Sequence, residues 1–321
     1  MRSVVAALER HQLWLYLAAL ALSAVLGLLV PAVAQPAEAA ISPVLGLLLY
    51  ATFLGVPFAR LARAVRDWRF LATALAVNFV AVPFVVFGLS RIVAHERVLL
   101  VGVLLVLLTP CVDYVIVFTG MAGGAKDRLL AATPLLMLVQ MLLLPLYLWL
   151  FVGAEFATHV DPAPFVEAFL LLIALPLTAA VATQLAADRT RWGAGVQGVV
   201  SDAMVPLMML TLAVVVASQI AAVGHRFVSL LLTVPIYLLF AVLMVPIGML
   251  AGRLTRLDVA GRRAIVFSGA TRNSLVVLPL ALALPVGFDL APLVVVTQTL
   301  TELVVMVVLV RFIPRVIPAP D

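Results

Sequence analysis

The chain has 321 residues, 65% of them hydrophobic and 11% charged, with a mean hydropathy of +1.26. Soluble domains carry roughly 25% charged residues, so this composition excludes a soluble globular protein and points to an integral membrane one. The net charge of +5 is spread between apolar segments rather than gathered on one face, which speaks against a nucleic-acid partner, and a single cysteine excludes an internal disulfide or a Cys-rich metal site.

Ten segments approach the ~20 apolar residues that cross a bilayer. They cover roughly 12–33, 40–59, 70–93, 98–121, 129–152, 164–186, 200–222, 227–251, 264–286 and 290–313. Ala32-Val33-Ala34 resembles a signal-peptide cleavage site. The apolar run before it, Gln12 to Val33, is longer than the ~7–15 residues of a signal-peptide core, so a retained transmembrane helix is expected. The Gly-containing stretch Arg191–Gly198 reads either as an interfacial helix or as the approach to the seventh segment.

With the amino terminus placed in the cytoplasm, sixteen of the 20 Lys and Arg residues fall on the inner side. Only Arg91, Arg97 and Arg226 fall outside, and Arg272 lies within a segment. Basic loops face the cytoplasm, so this asymmetry predicts ten spans, both termini cytoplasmic, in a cell membrane. Ten spans divide into five and five, and an odd number forces the second set to enter inverted. The expectation is one transmembrane transporter domain over 1–321, with one repeat over about 12–152 and the other over about 164–313.

The fourth segment is interrupted by Leu108-Thr109-Pro110-Cys111-Val112-Asp113-Tyr114. Proline lacks a backbone donor and clashes with the preceding turn, so the helix should break there. Hydrocarbon tolerates broken backbone only where protein covers it or a cavity adjoins it. The ninth segment carries the polar run Ser268-Gly269-Ala270-Thr271-Arg272-Asn273-Ser274 at the matching position. Two interrupted segments at equivalent places are the sequence pointer to a midplane binding site, with Thr109, Pro110, Gly269 and Thr271 as the breaking residues.

Asp113, Arg272 and Glu302 lie within about three residues of their segment centres. A charge there costs roughly 2.5–3.5 kcal/mol on insertion scales, so these residues are functional candidates. Segments one, two, six and seven have none, which suggests a polar core bundle moving against an apolar scaffold. Each candidate also has a plainer role. Cys111 can be a small packing residue or a thiol for a thiophilic species. Asp113 can bind substrate, couple an ion or satisfy the amides freed by the break. Arg272 can pair with Asp113 or Glu302, or hold an anionic substrate through its fork of donors. Glu302, among Gln298, Thr299 and Thr301, suits a proton-coupling role. Asn273 is a substrate-site candidate, although it, Asn78 and Gln140 could equally join helices. His11, His95, His159 and His225 fall at segment ends or in loops, so no histidine metal cage is expected. No P-loop, nucleophile elbow, HExxH or paired metal-ligand spacing is present, and neither an enzyme nor a cofactor is expected.

At these residues the chain resembles the arsenical-resistance branch, the arsenite efflux permeases, of the bile acid/sodium symporter superfamily. The motif Leu108-Thr109-Pro110-Cys111, followed by Val117-Phe118-Thr119 and the turn Ala122-Gly123-Gly124, resembles the surroundings of the permeases' essential cysteine. Thr301-Glu302-Leu303-Val304-Val305-Met306 resembles the Glu-containing motif of their last helix. The resemblance implies an all-α membrane fold of ten helices in two inverted five-helix repeats, with broken, crossing fourth and ninth helices. It implies export of arsenite by proton antiport, Cys111 as As(III) ligand and Glu302 as coupling acid. The permeases have a paired-Asn run with a nearby Glu in the ninth helix, whereas Thr271-Arg272-Asn273-Ser274-Leu275 stands here, closer to the symporter side. A sodium- or proton-coupled carrier of a small organic anion, held by Arg272, is therefore the rival expectation.

Overall fold

The computed structural model describes residues 2–55, 67–112, 114–153, 163, 167, 170–225, 230–282, 284, 287, 288 and 290–319. In chain order the helices are α1 (Arg2–Leu29), α2 (Ala34–Leu54), α3 (Trp68–Ala76), α4 (Val82–Ser90), α5 (Arg97–Leu107), α6 (Tyr114–Met121) and α7 (Lys126–Val152). They continue as α8 (Leu175–Ala187), α9 (Arg191–Asp202), α10 (Met204–His225), α11 (Thr233–Leu254), α12 (Val259–Ala270), α13 (Ser274–Leu282) and α14 (Ala291–Val316). A π-turn, Val77–Ala81, joins α3 to α4.

Among the described residues six helices are long and apolar enough to cross a membrane, and a seventh span is counted if α9 and residues 204–220, bent by 51°, form one. The expected fourth and ninth segments are absent from that count because each is split into two short helices, α5 with α6 and α12 with α13. Large apolar side chains such as Phe84, Leu142, Val242 and Val304 are exposed, a surface that lipid rather than water would cover. The chain is a multi-pass membrane protein.

Contacts divide it into two compact units, Met1–Val56 with Ala163–Phe227, and Pro57–Pro162 with Val228–Asp321. The first gathers segments one, two, six and seven, none of which has a central ionisable residue. In it α10 packs against α1 and α2, and α8 against α2. The approach of α1 to α10 is close: a Cβ at Gly27 would lie 2.6 Å from Ile220 Cγ2 and 2.7 Å from the Ala217 carbonyl. The Tyr50 hydroxyl meets that of Thr183 at 2.8 Å, and Gln184 Nε2 donates to the Leu54 carbonyl at 2.9 Å.

The second unit contains both breaks. Two of its helices, α3 and α12, start on side-chain caps: Asp67 accepts from the Phe70 N–H and Asp258 from the Gly261 N–H, satisfying donors that a helix start leaves unpaired. Arg128 bridges the two caps, at 3.3 Å from Asp67 and 2.7 Å from Asp258. These groups are partly exposed, so the bridge contributes at most about 1 kcal/mol. Arg263 joins two helix ends by donating to the Ala122 carbonyl after α6 and the Ile317 carbonyl after α14.

Helix α5 lies along α14, where a Cβ at Gly102 would meet Val294 Cβ at 2.8 Å and the Ala291 carbonyl at 3.2 Å. Overpacking of this kind costs about 1–3 kcal/mol. Gly102→Ala is therefore expected to lower the thermal unfolding midpoint of purified protein. A midpoint equal to wild type would contradict this close approach.

Candidate functional site

Helix α5 ends where proline dictates. The Thr109 hydroxyl donates back to the carbonyls of Leu105 and Val106, and Pro110 offers no N–H to continue. Helix α12 ends at Ala270, and α13 restarts at Ser274 with Asn273 Oδ1 accepting from the Val276 N–H at 3.2 Å. The two interruptions meet. The Asn273 N–H donates to the Thr109 carbonyl at 2.9 Å, and the Cys111 N–H to the Thr271 carbonyl at 3.4 Å. Pro110 and Arg272 thus form an isolated antiparallel bridge. Each break supplies partners for backbone groups that the other frees, which allows irregular chain to persist in an apolar interior.

Two buried charges complete the arrangement, one for each polarity of helix end. Helix carboxyl ends are partially negative and amino ends partially positive. The Arg272 guanidinium faces the carboxyl ends: its Nη2 donates to the carbonyls of Ser268 (2.7 Å) and Gly269 (2.9 Å) and to Asn78 Oδ1 (2.8 Å). Its Nη1 approaches the Leu107 carbonyl, the last residue of α5, at 3.5 Å. The guanidinium carbon stands 5.3 Å from the centre of the Phe240 ring, and the side chain is fully buried. Asn78 comes from the π-turn and also donates to the Ser268 hydroxyl and the Ala74 carbonyl. Such π-turns recur at functional sites because they re-aim a side chain.

Glu302, from α14, takes the other polarity. Its Oε1 accepts from the Tyr114 hydroxyl at 2.7 Å, and its Oε2 from the Arg272 main-chain N–H at 2.7 Å and from Gln298 Nε2. Arg272 lies just before α13, so the carboxylate meets that helix at its positive end. The Tyr114 hydroxyl also lies 3.2 Å from the Arg272 carbonyl.

Of the residues singled out in the sequence, the structure brings together Thr109, Pro110, Cys111, Thr271, Arg272, Asn273 and Glu302. Asp113 falls outside the described residues. Cys111 is fully buried, and its main-chain N–H meets the Thr271 carbonyl. Gly269 contributes its carbonyl to Arg272 and permits contact with α3–α4, since a Cβ there would lie 2.8 Å from Val77 Cγ1. The Thr271 hydroxyl bonds back to Phe267. Arg272 meets Glu302 through its main chain, while its guanidinium turns to neutral oxygens. Among the described residues, Asn273 Nδ2, Ser274 Oγ, Gln298 Oε1 and Arg272 Nε are buried without a hydrogen-bond partner. Sequence reasoning gave no role to Tyr114 or Ser268, although Tyr114 belongs to the broken motif itself. Gln298 stands one helical turn before Glu302, a spacing that alone places both on one face.

Residues 42–226, more than half of the chain, match the family described as Sodium Bile acid symporter family. The chain belongs to the sodium bile acid symporter family. A comparison with curated proteins finds no match. The family name raises the question of sodium. Half-helix carboxyl ends and unwound carbonyls are the usual ligands for such an ion in broken-helix transporters. In this symporter-family chain the carbonyls of Ser268 and Gly269 and the amide oxygen of Asn78 already hold a guanidinium. The Glu302 carboxylate is engaged by three donors. The oxygens that hold the guanidinium therefore do not fit a sodium ion as well.

Proposed function

We propose that the chain is a secondary transporter that exports arsenite or a related trivalent metalloid from the cytoplasm, driven by proton entry, with its binding site at the paired breaks. In this reading it has ten spans in two inverted five-span repeats and both termini in the cytoplasm of a cell membrane. Cys111 binds the metalloid, Glu302 carries the coupling proton, and Asp113 and Asn273 contribute polar groups to the site.

The observation that carries the reading is the engagement of Arg272. With its Nη2 committed to Asn78, Ser268 and Gly269, the break keeps a thiol rather than an available cation as its recognising group. Neutral arsenous acid suits that chemistry. The thiol displaces one hydroxyl, forming a sulfur–arsenic bond while an arsenic–oxygen bond breaks and water leaves. The remaining hydroxyls match the unpartnered polar atoms of Asn273, Ser274 and Gln298. Cys111 is the single cysteine of the chain, so it would act without a thiol trio. A transport site must bind weakly enough to release, which one sulfur bond favours.

The family description favours a second reading, coupled carriage of a small organic anion. It requires Arg272 to leave its present oxygens and meet the anion.

The test is arsenite accumulation in metalloid-sensitive cells that express wild type or Cys111→Ser at equal abundance. Wild type should lower accumulation, and the Ser variant should lose about tenfold in protection, the equivalent of roughly 1.4 kcal/mol. Equal protection by both proteins, or none by wild type, ends the thiol reading.

A further inference from the structure

Among the described residues, the oxygens that accept from the Arg272 guanidinium are all main-chain carbonyls or a side-chain amide. Ser268, Gly269 and Leu107 contribute main-chain carbonyls from the carboxyl ends of α12 and α5, and Asn78 contributes an amide oxygen. All four groups are neutral. Buried arginine is ordinarily retained against a carboxylate, yet here Glu302 is met by the main-chain N–H of the same residue. Carbonyl and amide oxygens at the ends of broken helices are instead the ligands of a small monovalent cation. Three of them converge on one nitrogen at 2.7–2.9 Å.

We infer that Arg272 is a tethered cation filling a monovalent-cation cage, so that position 272 sets the ion selectivity of these breaks: the wild-type chain takes no sodium there, and removing the guanidinium opens a cation site. A second monovalent cation at about 4 Å from the guanidinium would be disfavoured by roughly a thousandfold at an effective dielectric constant near 20, so mobile and tethered cations exclude each other. The guanidinium suits the place better than an ammonium because its planar fork reaches Nη2 into three oxygens while Nη1 faces a fourth. Space for the exchange adjoins it. A cavity of about 10 Å³, the room of one water, is lined by Leu107, Phe240, Ala270, Gln298 and Glu302 among others. The inference rests on the oxygen cage and does not depend on which substrate is carried.

Thermal unfolding of the purified full-length protein tests it, in sodium, potassium or choline chloride at one ionic strength, with ²²Na⁺ binding as the second readout. Wild type should unfold at the same midpoint in all three salts and bind no ²²Na⁺. Arg272→Ala should unfold lower than wild type in choline. Millimolar sodium or guanidinium should raise that midpoint saturably by about 3 °C or more, and the variant should bind ²²Na⁺. Saturable sodium binding by wild type overturns the inference. So does an Arg272→Ala protein that responds to none of the cations, or one that neither sodium nor guanidinium allows to be recovered from membranes. Arsenite export plays no part in these readouts, so this inference and the export reading can fail separately.

Discussion

Glu302→Gln is expected to reduce proton-driven transport by about a hundredfold or more, the scale on which losing a positioned proton carrier acts, while protein abundance stays near wild type. The geometry allows the two effects to separate. The Gln carbonyl can keep the bonds from the Arg272 N–H and Gln298 Nε2, now made to Oε2 of the acid. The Gln amide group can then donate to the Tyr114 hydroxyl, which turns its own proton to the Arg272 carbonyl, already 3.2 Å away. Each donor that now meets the carboxylate retains an acceptor. What disappears is the negative charge at the positive end of α13, worth roughly 0.3–2 kcal/mol, together with the capacity to take up and release a proton. The measurement is arsenite uptake into everted vesicles with and without an imposed pH gradient, beside immunodetection of the protein. Gradient-dependent flux retained by the Gln variant would move the coupling role away from Glu302.

The sequence makes the breaks legible because their causes are local. Pro110 cannot continue α5, and Gly269 to Ser274 is a polar run among apolar neighbours, so both interruptions can be found from residue type alone. The depth of Glu302 is legible for the same reason. Composition separates the segments only in part: one, two, six and seven lack a central charge and gather in the unit of Met1–Val56 and Ala163–Phe227, but three, five and eight lack one too and lie in the other unit. Two things are not legible. Short half-helices such as Tyr114–Met121 fall below the length of a span, so a hydropathy segment and a helix are different objects at a break. The partners of Arg272 are the other. A charge at membrane depth advertises a need for compensation without naming its source. Carboxylates are the evident choices in sequence, whereas the hydrogen-bond partners of the guanidinium among the described residues are helix-end carbonyls and Asn78, 194 residues away.

That distant amide carries the second large effect. Asn78→Leu is expected to destabilise the protein by about 2–3 kcal/mol. Asn78 Oδ1 accepts from the charged Nη2 at 2.8 Å, and charge-assisted bonds of this kind contribute about 1.5–3 kcal/mol. Its Nδ2 simultaneously donates to the Ser268 hydroxyl and the Ala74 carbonyl, both at 2.9 Å. Leucine fills similar volume but removes all three bonds inside a region that water does not relieve, so the loss comes from unpaired polar groups rather than from a cavity. The helix backbone is expected to survive, because the π-turn Val77–Ala81 is made by main-chain bonds and leucine tolerates it. The thermal midpoint of purified Asn78→Leu should therefore fall by roughly 4–10 °C. Asn78→Asp separates charge from connectivity. A carboxylate keeps the bond to Arg272 and can accept from the Ser268 hydroxyl, losing only the bond to Ala74, so its midpoint should lie between wild type and the Leu variant. If Asn78→Leu unfolded within a degree of wild type, Asn78 would not be holding the guanidinium, and the oxygen cage would reduce to the helix-end carbonyls alone.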